Sequence, residues 1–292
     1  MTIGGPVERT PTLDHLGWIG PDLDQAAQAW ERLGFKLCRQ SPQMGFTGPD
    51  GALETWASAN RCVLFKKGYL ELIGLTDPER HNPWKTYLAR GAGPHIAAFR
   101  TDVADVAFPE IAARVDGFDP PVQRRRMAPL GLDPKDGETE MRFRNIFSQD
   151  DAWPEGRFIV IEHQTPDALW QAELLDHPNG AEALLEAIFT APDPSPTADR
   201  LSRLLDRPAE KTGAGFALEA AGGGKLSVMT PQDFATRFPG ADPAPDRPAV
   251  AGAIIGATRL DALPDGLERS TDGARFACGA NAAGGVIGFK PL

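Results

Sequence analysis

Residues 13–35 read LDHLGWIGPDLDQAAQAWERLGF, and this stretch sets the architecture. An apolar segment carrying one histidine, His15, runs into Pro21-Asp22, a turn and helix-start signal. Leu23, Ala26, Ala27, Trp30 and Leu33 then recur at helical spacing, and Gly34 closes the helix. After KLCRQS (36–41) and a loop rich in Gly and Pro come ETWASANRCVLFKK (54–67) and GYLELIGL (68–75). Their β-branched and aromatic content between polar flanks reads as strand. The order is β-α-β-β-β.

The same order recurs from Gly93. GPHIAAFRTDV (93–103) supplies a strand, and ADVAFPEIAARVDGF (104–118) a helix interrupted early by Pro109. PPVQRRRMAP (120–129), GETEMRFRNIFS (137–148) and the segment RFIVIEHQ (157–164) supply three more strands. Two copies of one supersecondary unit at similar length mark an internal repeat. The chain repeats the pattern twice more. GAEALLEAIFTAPDPSPTADRLSRLLDRP (180–208) again gives an apolar run, a Pro-Asp turn and a helix, and GFALEAAGGGKLSVMT (215–230) reads as a hairpin with a Gly-rich tip. The last copy runs from AVAGAIIGATRLDAL (249–263) to GGVIGFKPL (284–292). The expected fold class is therefore α+β: four βαβββ modules in two pairs, forming cupped mixed sheets. The expected domains are 11–170 and 180–292, with linkers at 78–86, 167–180 and 239–250.

The first pair carries chemistry and the second does not. His15 opens the first module and Glu71 closes it; His95 opens the second and Glu162 closes it. Imidazole and carboxylate together suit a hard-to-borderline divalent ion. Lining up Pro192-Asp193 with Pro21-Asp22 puts Glu186 where His15 stood, and Gly252 falls near the position of His95. No histidine follows His177. The C-terminal pair reads as a copy that keeps the fold and loses the ligands.

Paired modules with His on the first strand and Glu on the last resemble the vicinal-oxygen-chelate superfamily, which includes glyoxalase I, extradiol dioxygenases and bleomycin-resistance proteins. Residues 11–180 are most similar to bacterial glyoxalase-like domain proteins. The resemblance implies a cupped, nearly closed sheet around a divalent ion (zinc, nickel, cobalt, manganese or iron). In the glyoxalase I pattern the ligands are His15, Glu71, His95 and Glu162; in the extradiol pattern they are His15, His95 and Glu162. In the first pattern Glu162, or alternatively Glu71, is the catalytic base at the carbon beside a carbonyl, and the reaction is a Lewis-acid-assisted proton transfer or isomerisation of a small oxygenated substrate. In the second, ferrous iron activates dioxygen for ring cleavage. A third reading is a metal-free binding or resistance protein. The chain departs from both enzyme patterns in its long region between Pro120 and Asp151 and in its ligand-free second half.

Side-chain alternation refines the assignment. It puts Leu70 and Leu72 under a helix layer and Tyr69, Glu71 and Ile73 on the cup face. It turns His95, Ala97 and Phe99 to the cup. Phe158, Val160 and Glu162 share one face, Ile159, Ile161 and His163 the other, and the parallel with LEL assigns Glu162 to the metal. Arg142 and Arg144 fall on one face of a strand, where they either clamp a substrate carboxylate or phosphate or decorate a solvated edge. Arg124, Arg125 and Arg126 read as an edge that guards against strand pairing. Trp56, Phe65, Phe99 and Phe158 are candidates for an apolar pocket wall. His81 and His177 lie in turn sequences, and His163 reads as a support for the ligands or as outward-facing. Cys38, Cys62 and Cys278 have no CxxC spacing and read as reduced thiols.

A chain of 292 residues with 41% hydrophobic content can bury one or two cores. Its net charge of -10 argues against general nucleic-acid binding. No signal-like run and no apolar stretch of ~18 residues is present, so the expectation is a cytoplasmic protein without a membrane span. The expected partner is a small-molecule substrate. A homodimer is compatible with this reading, although two modules within one chain already suffice to build a cup.

Overall fold

The computed structural model describes residues 10–46 and 53–292. Part of the Gly/Pro-rich loop expected after KLCRQS lies outside them. The first module runs β1 (Thr12–Gly20), α1 (Leu23–Arg32), β2 (Ser41–Phe46), β3 (Leu53–Leu64) and β4 (Tyr69–Leu75), followed by the short α2 (Lys85–Leu88). The second runs β5 (Gly93–Arg100), α3 (Ala104–Arg114), β6 (Val122–Pro129), β7 (Glu138–Phe147) and β8 (Arg157–His163), followed by α4 (Pro166–Leu169). The third comprises β9 (Ala181–Thr190), α5 (Pro194–Leu205), β10 (Glu210–Thr212), β11 (Gly215–Glu219), β12 (Lys225–Met229) and α6 (Pro231–Arg237). β13 (Ala249–Ala257), β14 (Glu268–Arg269), β15 (Arg275–Cys278) and β16 (Val286–Pro291) complete the fourth, in which a 3-10 turn at Leu260–Ala262 stands where the other modules have a helix.

The strands form two eight-stranded sheets of the same order, β2-β3-β4-β1-β5-β8-β7-β6 and β10-β11-β12-β9-β13-β16-β15-β14. In the first, β1 runs parallel to β4 and antiparallel to β5, which joins the two modules about their first strands. The second sheet repeats this at β9 and β13. The first sheet curls until its two edges meet: Arg126 on β6 donates to Ser41 Oγ on β2. The expected paired modules and cupped mixed sheets are present.

Local chemistry explains the elements. Asp22 caps α1 by accepting the Gln25 N–H at 2.9 Å, and Gly34 leaves the helix at a φ of +84°. Asp193 and Thr230 cap α5 and α6 in the same way. Pro109 does not interrupt α3, which runs unbroken around it. Its missing N–H costs one helical bond, and Ala107 and Ile111, both fully buried, anchor the turns on either side.

The main core lies between the sheets. Leu16, Trp18, Ala97, Phe99, Phe158 and Val160 of the first meet Ala187, Phe189, Ala253, Ile255, Ile287 and Phe289 of the second, with α1, α3 and α5 packed in. Phe158 stacks on Phe189 at 6.1 Å. Trp18 Nε1 donates to Gly284 O at 2.7 Å and Trp30 Nε1 to Ala282 O at 3.1 Å, so the halves are joined by polar as well as apolar contacts. Large aromatic side chains of the central strands therefore point away from the cups. Among the described residues no helix is long and apolar enough to cross a membrane.

The two cups differ. α6 lies against the second, where Phe234 and Phe238 pack on Ile188, Ile254 and Phe276. Arg237 forks onto Glu186 through two 2.7 Å bonds. Burial would raise the Glu186 carboxyl, but the Arg237 bonds outweigh it and lower it below its ordinary value. Glu186 thus closes an ion pair between β9 and α6.

Candidate functional site

The first cup holds a buried polar cluster built on a β-bulge. The register of β1 on β5 shifts between Leu13 and His15, leaving Asp14 without a pairing partner. His15 projects on the concave side beside Tyr69, its register partner on β4. Asp14 is 1% exposed. Its Oδ2 accepts from His15 Nδ1 at 2.8 Å and from His163 Nε2 at 3.1 Å. Its Oδ1 accepts from Arg100 Nε at 2.8 Å and Nη2 at 2.7 Å. Burial alone would raise the Asp14 carboxyl; the His163 and His15 imidazoles outweigh it and hold the group well below the usual carboxylate range.

This anchoring fixes the His15 tautomer. With Nδ1–H directed at Asp14, the neutral ring presents the Nε2 lone pair to the cup. Nε2 lies 3.5 Å from Tyr69 Oη and 3.9 Å from Glu71 Oε2. The Tyr69 ring stacks on the imidazole with centroids 4.1 Å apart. Burial, then the Asp14 and Glu71 charges, push the Tyr69 phenol well above its ordinary value, so it stays a hydrogen-bond donor. Glu71 Oε1 accepts from Asn60 Nδ2 on β3.

A cover lies over the cluster. α4 and the 3-10 turn Ala172–Leu174 bring Leu169 and Leu174 onto Cys62, Leu64, Ala128 and Met141. Trp170 stands edge-on to His163 at 5.0 Å and under the Arg100 guanidinium at 4.4 Å, and donates from Nε1 to Phe65 O at 2.9 Å. The void left beside Asn60, Cys62 and Arg126 is about 20 Å³, room for one water. His177 fastens the base of this segment: Nδ1 accepts the Lys36 N–H and Nε2 donates to Leu64 O.

Of the four expected metal ligands, the fold brings His15 and Glu71 together and holds the other two elsewhere. Glu162 shares its face with Phe158 and Val160, as alternation requires, but that face is the inter-sheet core. Its Oε2 accepts the N–H of Ala104, the first residue of α3, at 2.9 Å. His163 occupies the cup side instead. His95 falls at a second register shift of β1 on β5, which leaves it without a pairing partner, and donates from Nε2 to Gly91 O at 2.7 Å beside Tyr87. Burial drops the His95 imidazole to about 4, with the nearby Arg247 and Arg90 charges acting in the same direction. Among the described residues no group of three or more His, Cys, Asp or Glu side chains is arranged to hold a metal ion. The donor set at the cup is thus one imidazole and one carboxylate, short of the three or four ligands a resident divalent ion takes.

The substrate-binding candidates are dispersed as well. Phe99 and Phe158 are fully buried between the sheets, as is Phe65. Trp56 packs across Gly45 and against His81 at 6.2 Å. Arg144 leaves the sheet on its outer face to fork onto Asp105 of α3 at 2.5 and 2.7 Å, and Arg142 stands exposed near Glu140. Arg126 on β6 faces inward. Asp14, Arg100 and Trp170 escaped sequence reading; a buried acid directly before His15 was the available signal for the first.

The chain belongs to the glyoxalase-like domain family, whose family model matches residues 13–205. The family model and the paired-module fold together fit the vicinal-oxygen-chelate superfamily. No curated relative matches the sequence. A hypothetical protein from Staphylococcus aureus superposes with a TM-score of 0.66 at 11% identity, over 97% of this chain and 99% of that one. A triple mutant of 4-hydroxymandelate synthase from Streptomyces coelicolor gives 0.55 at 15%, over 86% and 72%. A xylose isomerase-like TIM barrel/4-hydroxyphenylpyruvate dioxygenase fusion protein gives 0.51 at 12%, over 98% and 50%. At these identities the likeness is one of fold.

Proposed function

We propose that the first cup is a proton-transfer site of glyoxalase type, acting on a small substrate with an acidic C–H beside a carbonyl, and that His15 is the group that takes and returns the proton. The observation that carries this reading is the 2.8 Å bond from His15 Nδ1 to Asp14, which leaves Nε2 as the base on the concave face. The Nε2 lone pair takes the proton from carbon, and the electron pair moves onto the carbonyl oxygen. The Tyr69 O–H donates to that oxygen as charge develops. Where the deprotonated carbon carries a hydroxyl, the hydroxyl proton passes to the enediolate oxygen as Nε2–H delivers its proton to the former carbonyl carbon, which completes an isomerisation with no net gain or loss of atoms; without the hydroxyl the proton returns to the same carbon as exchange. Asp14 stabilises the imidazolium formed on the way, and Glu71 stands on its other side. The cover from Pro166 to Leu174 keeps bulk water from the intermediate when it is closed. No step is derived through a metal, because His95 and Glu162 are committed elsewhere.

The test is proton NMR in deuterium oxide with a panel of 2-oxo acids, 2-hydroxyaldehydes and thiol hemiacetals, including 4-hydroxyphenylpyruvate. The expected result is exchange or isomerisation by the wild type that falls at least 100-fold in His15→Gln and persists in Glu162→Gln. Equal rates in wild type and His15→Gln overturn the assignment. Turnover that appears only on adding a divalent ion and vanishes in His95→Ala would restore the four-ligand metal site.

A further inference from the structure

A second cavity, of about 250 Å³, opens in the first sheet and shares no residue with the His15 cluster. It is lined by Asp119, Pro120, Val122 and Arg124 from the entry to β6 and β6 itself, Phe147, Ser148 and Asp150 from the end of β7 and just after it, and Arg157 from the start of β8, the two aspartates at its exposed rim. Two guanidinium groups meet there over one ring: Arg157 lies 4.8 Å and Arg124 5.6 Å from the Phe147 centroid. Arg157 also lies 5.8 Å from the Trp84 ring.

Among the described residues neither side chain has a carboxylate within ion-pair distance, whereas Arg61, Arg80, Arg100, Arg144, Arg200 and Arg237 all do. Burial, and then the charge of Arg157, press the Arg124 guanidinium below its ordinary value. Two like charges held together without a counterion cost stability unless something compensates them. The buried Ser148 adds a donor. Its Oγ accepts the Phe158 N–H at 3.0 Å, which leaves its own hydrogen free to point elsewhere. Of the nearby acids, Asp119 accepts from Gln149 Nε2 at 2.9 Å, and both carboxylates stand at the surface. They disfavour bulky polyanions and leave the pair of arginines free for a small one.

We propose that Arg124, Arg157 and Ser148 form a binding site for a small organic oxyanion, a carboxylate or phosphate monoester on a compact apolar body. The two guanidiniums fork onto the oxygens from either side. Ser148 Oγ–H supplies a third donor, and Val122, Pro120 and Phe147 receive the body. The cavity is at the small end of the range for ligand sites, which selects a ligand of about one ring. The site does not rest on the His15 reading.

Benzoate, phenyl phosphate and inorganic phosphate are the probes, titrated into the full-length protein by calorimetry with Trp84 fluorescence in parallel. The expected result is saturable binding of at least one organic probe, weakened 10-fold or more in Arg157→Gln and in Arg124→Gln and unchanged in Arg125→Gln. A preference for phenyl phosphate over benzoate assigns the phosphate ester, the reverse assigns the carboxylate, and binding of inorganic phosphate alone overturns the apolar half of the proposal. A second readout separates a binding role from a structural one. Without probe, Arg124→Gln is expected to raise the melting temperature by relieving the repulsion; a fall, together with no saturable binding in the wild type, overturns the site.

Discussion

Asp14 Oδ2 accepts hydrogen bonds from His15 Nδ1 at 2.8 Å and, on the same oxygen, from His163 Nε2 at 3.1 Å, while its other oxygen holds Arg100. A single buried carboxylate thus fixes an imidazole from β1, an imidazole from β8 and a guanidinium from β5. The bulge at Asp14 makes this geometry available, because a regular strand would send adjacent side chains to opposite faces. Asp14 joins the two modules electrostatically where β1 and β5 join them by backbone.

Replacing Asp14 by Asn should therefore be costly. It leaves Arg100 without its anion and removes the acceptor that sets the His15 tautomer. Breaking one side of a fully buried ion pair costs about 3–5 kcal/mol; the Arg100 side chain is 37% exposed, so the expected cost here is about 1–3 kcal/mol. Urea denaturation at pH 7 is expected to show a loss of that size, whereas Asp105→Asn, at the surface pair with Arg144, should change little. A small effect at Asp14 would mean that the carboxylate does not hold the cluster.

Glu162 supports α3 by taking the Ala104 N–H, one of the donors a helix start leaves unpaired. Glu162→Ala is expected to destabilise the protein by about 1 kcal/mol, the size of a lost helix cap. Proton exchange dependent on His15 should survive in the same variant. A loss of exchange with unchanged stability would return Glu162 to the cup.

The pH dependence of folding should report His95. Its folded value, about 4, lies below the 6.5 of a free imidazole, so the unfolded chain binds the extra proton first. Stability from this group is complete above pH 6.5 and is lost as pH falls toward 4, by up to about 3 kcal/mol for a shift of this size. Tyr87, Arg90 and Arg247 surround the ring, and none of them titrates in that window. Below about pH 4 the carboxylates, Asp14 among them, dominate. His95→Gln keeps a donor for Gly91 O and removes the proton site. Denaturation midpoints measured from pH 4 to 7 should slope less in the variant, and identical slopes would place His95 in contact with water.

The repeat, the strand order and α1 were legible because each rests on local chemistry: a Pro-Asp turn, a capped amphipathic helix and Gly34 at its end. The LEL strand was legible too, since Leu70 and Leu72 enter the core and Glu71 does not. The faces of β5 and β8 were not. Both strands are apolar on both sides, so alternation groups Glu162 with Phe158 but cannot say which side is the cup. The answer depends on the second sheet, which packs behind the first and draws the large aromatic side chains there. That contact joins strands far apart in the chain, β5 with β13 among them, and no spacing within one strand records it. The Asp14 bulge was hidden for the same reason, because a bulge is a property of the pairing of β1 with β5. Arg144 turned outward because Asp105 on α3 offers a partner there, and Arg142 stands exposed near Glu140, while Arg126 turned inward on an edge strand that the curl of the sheet had closed.

Trp170 covers His163 and Tyr69, the neighbours of His15, and the predicted consequence is control of access to the imidazole. The Trp170 ring contacts His163 and Tyr69, its Nε1 is tied to Phe65 O, and His15 is 2% exposed. A substrate therefore reaches His15 Nε2 only when the Pro166–Leu174 segment lifts, and the rate of lifting bounds the rate of entry. Trp170→Ala should remove the barrier while leaving the tether through His177 and Leu64 intact. The observable is carbethoxylation of His15 by diethyl pyrocarbonate, followed by peptide mass spectrometry. Slow modification in the wild type and modification at least 10-fold faster in Trp170→Ala is the expected pair. Rapid modification of both would mean that the cup stands open in solution. Slow modification of both would leave Leu169 and Leu174, which pack on the same cup, as the closing elements, with Trp170 only resting against them.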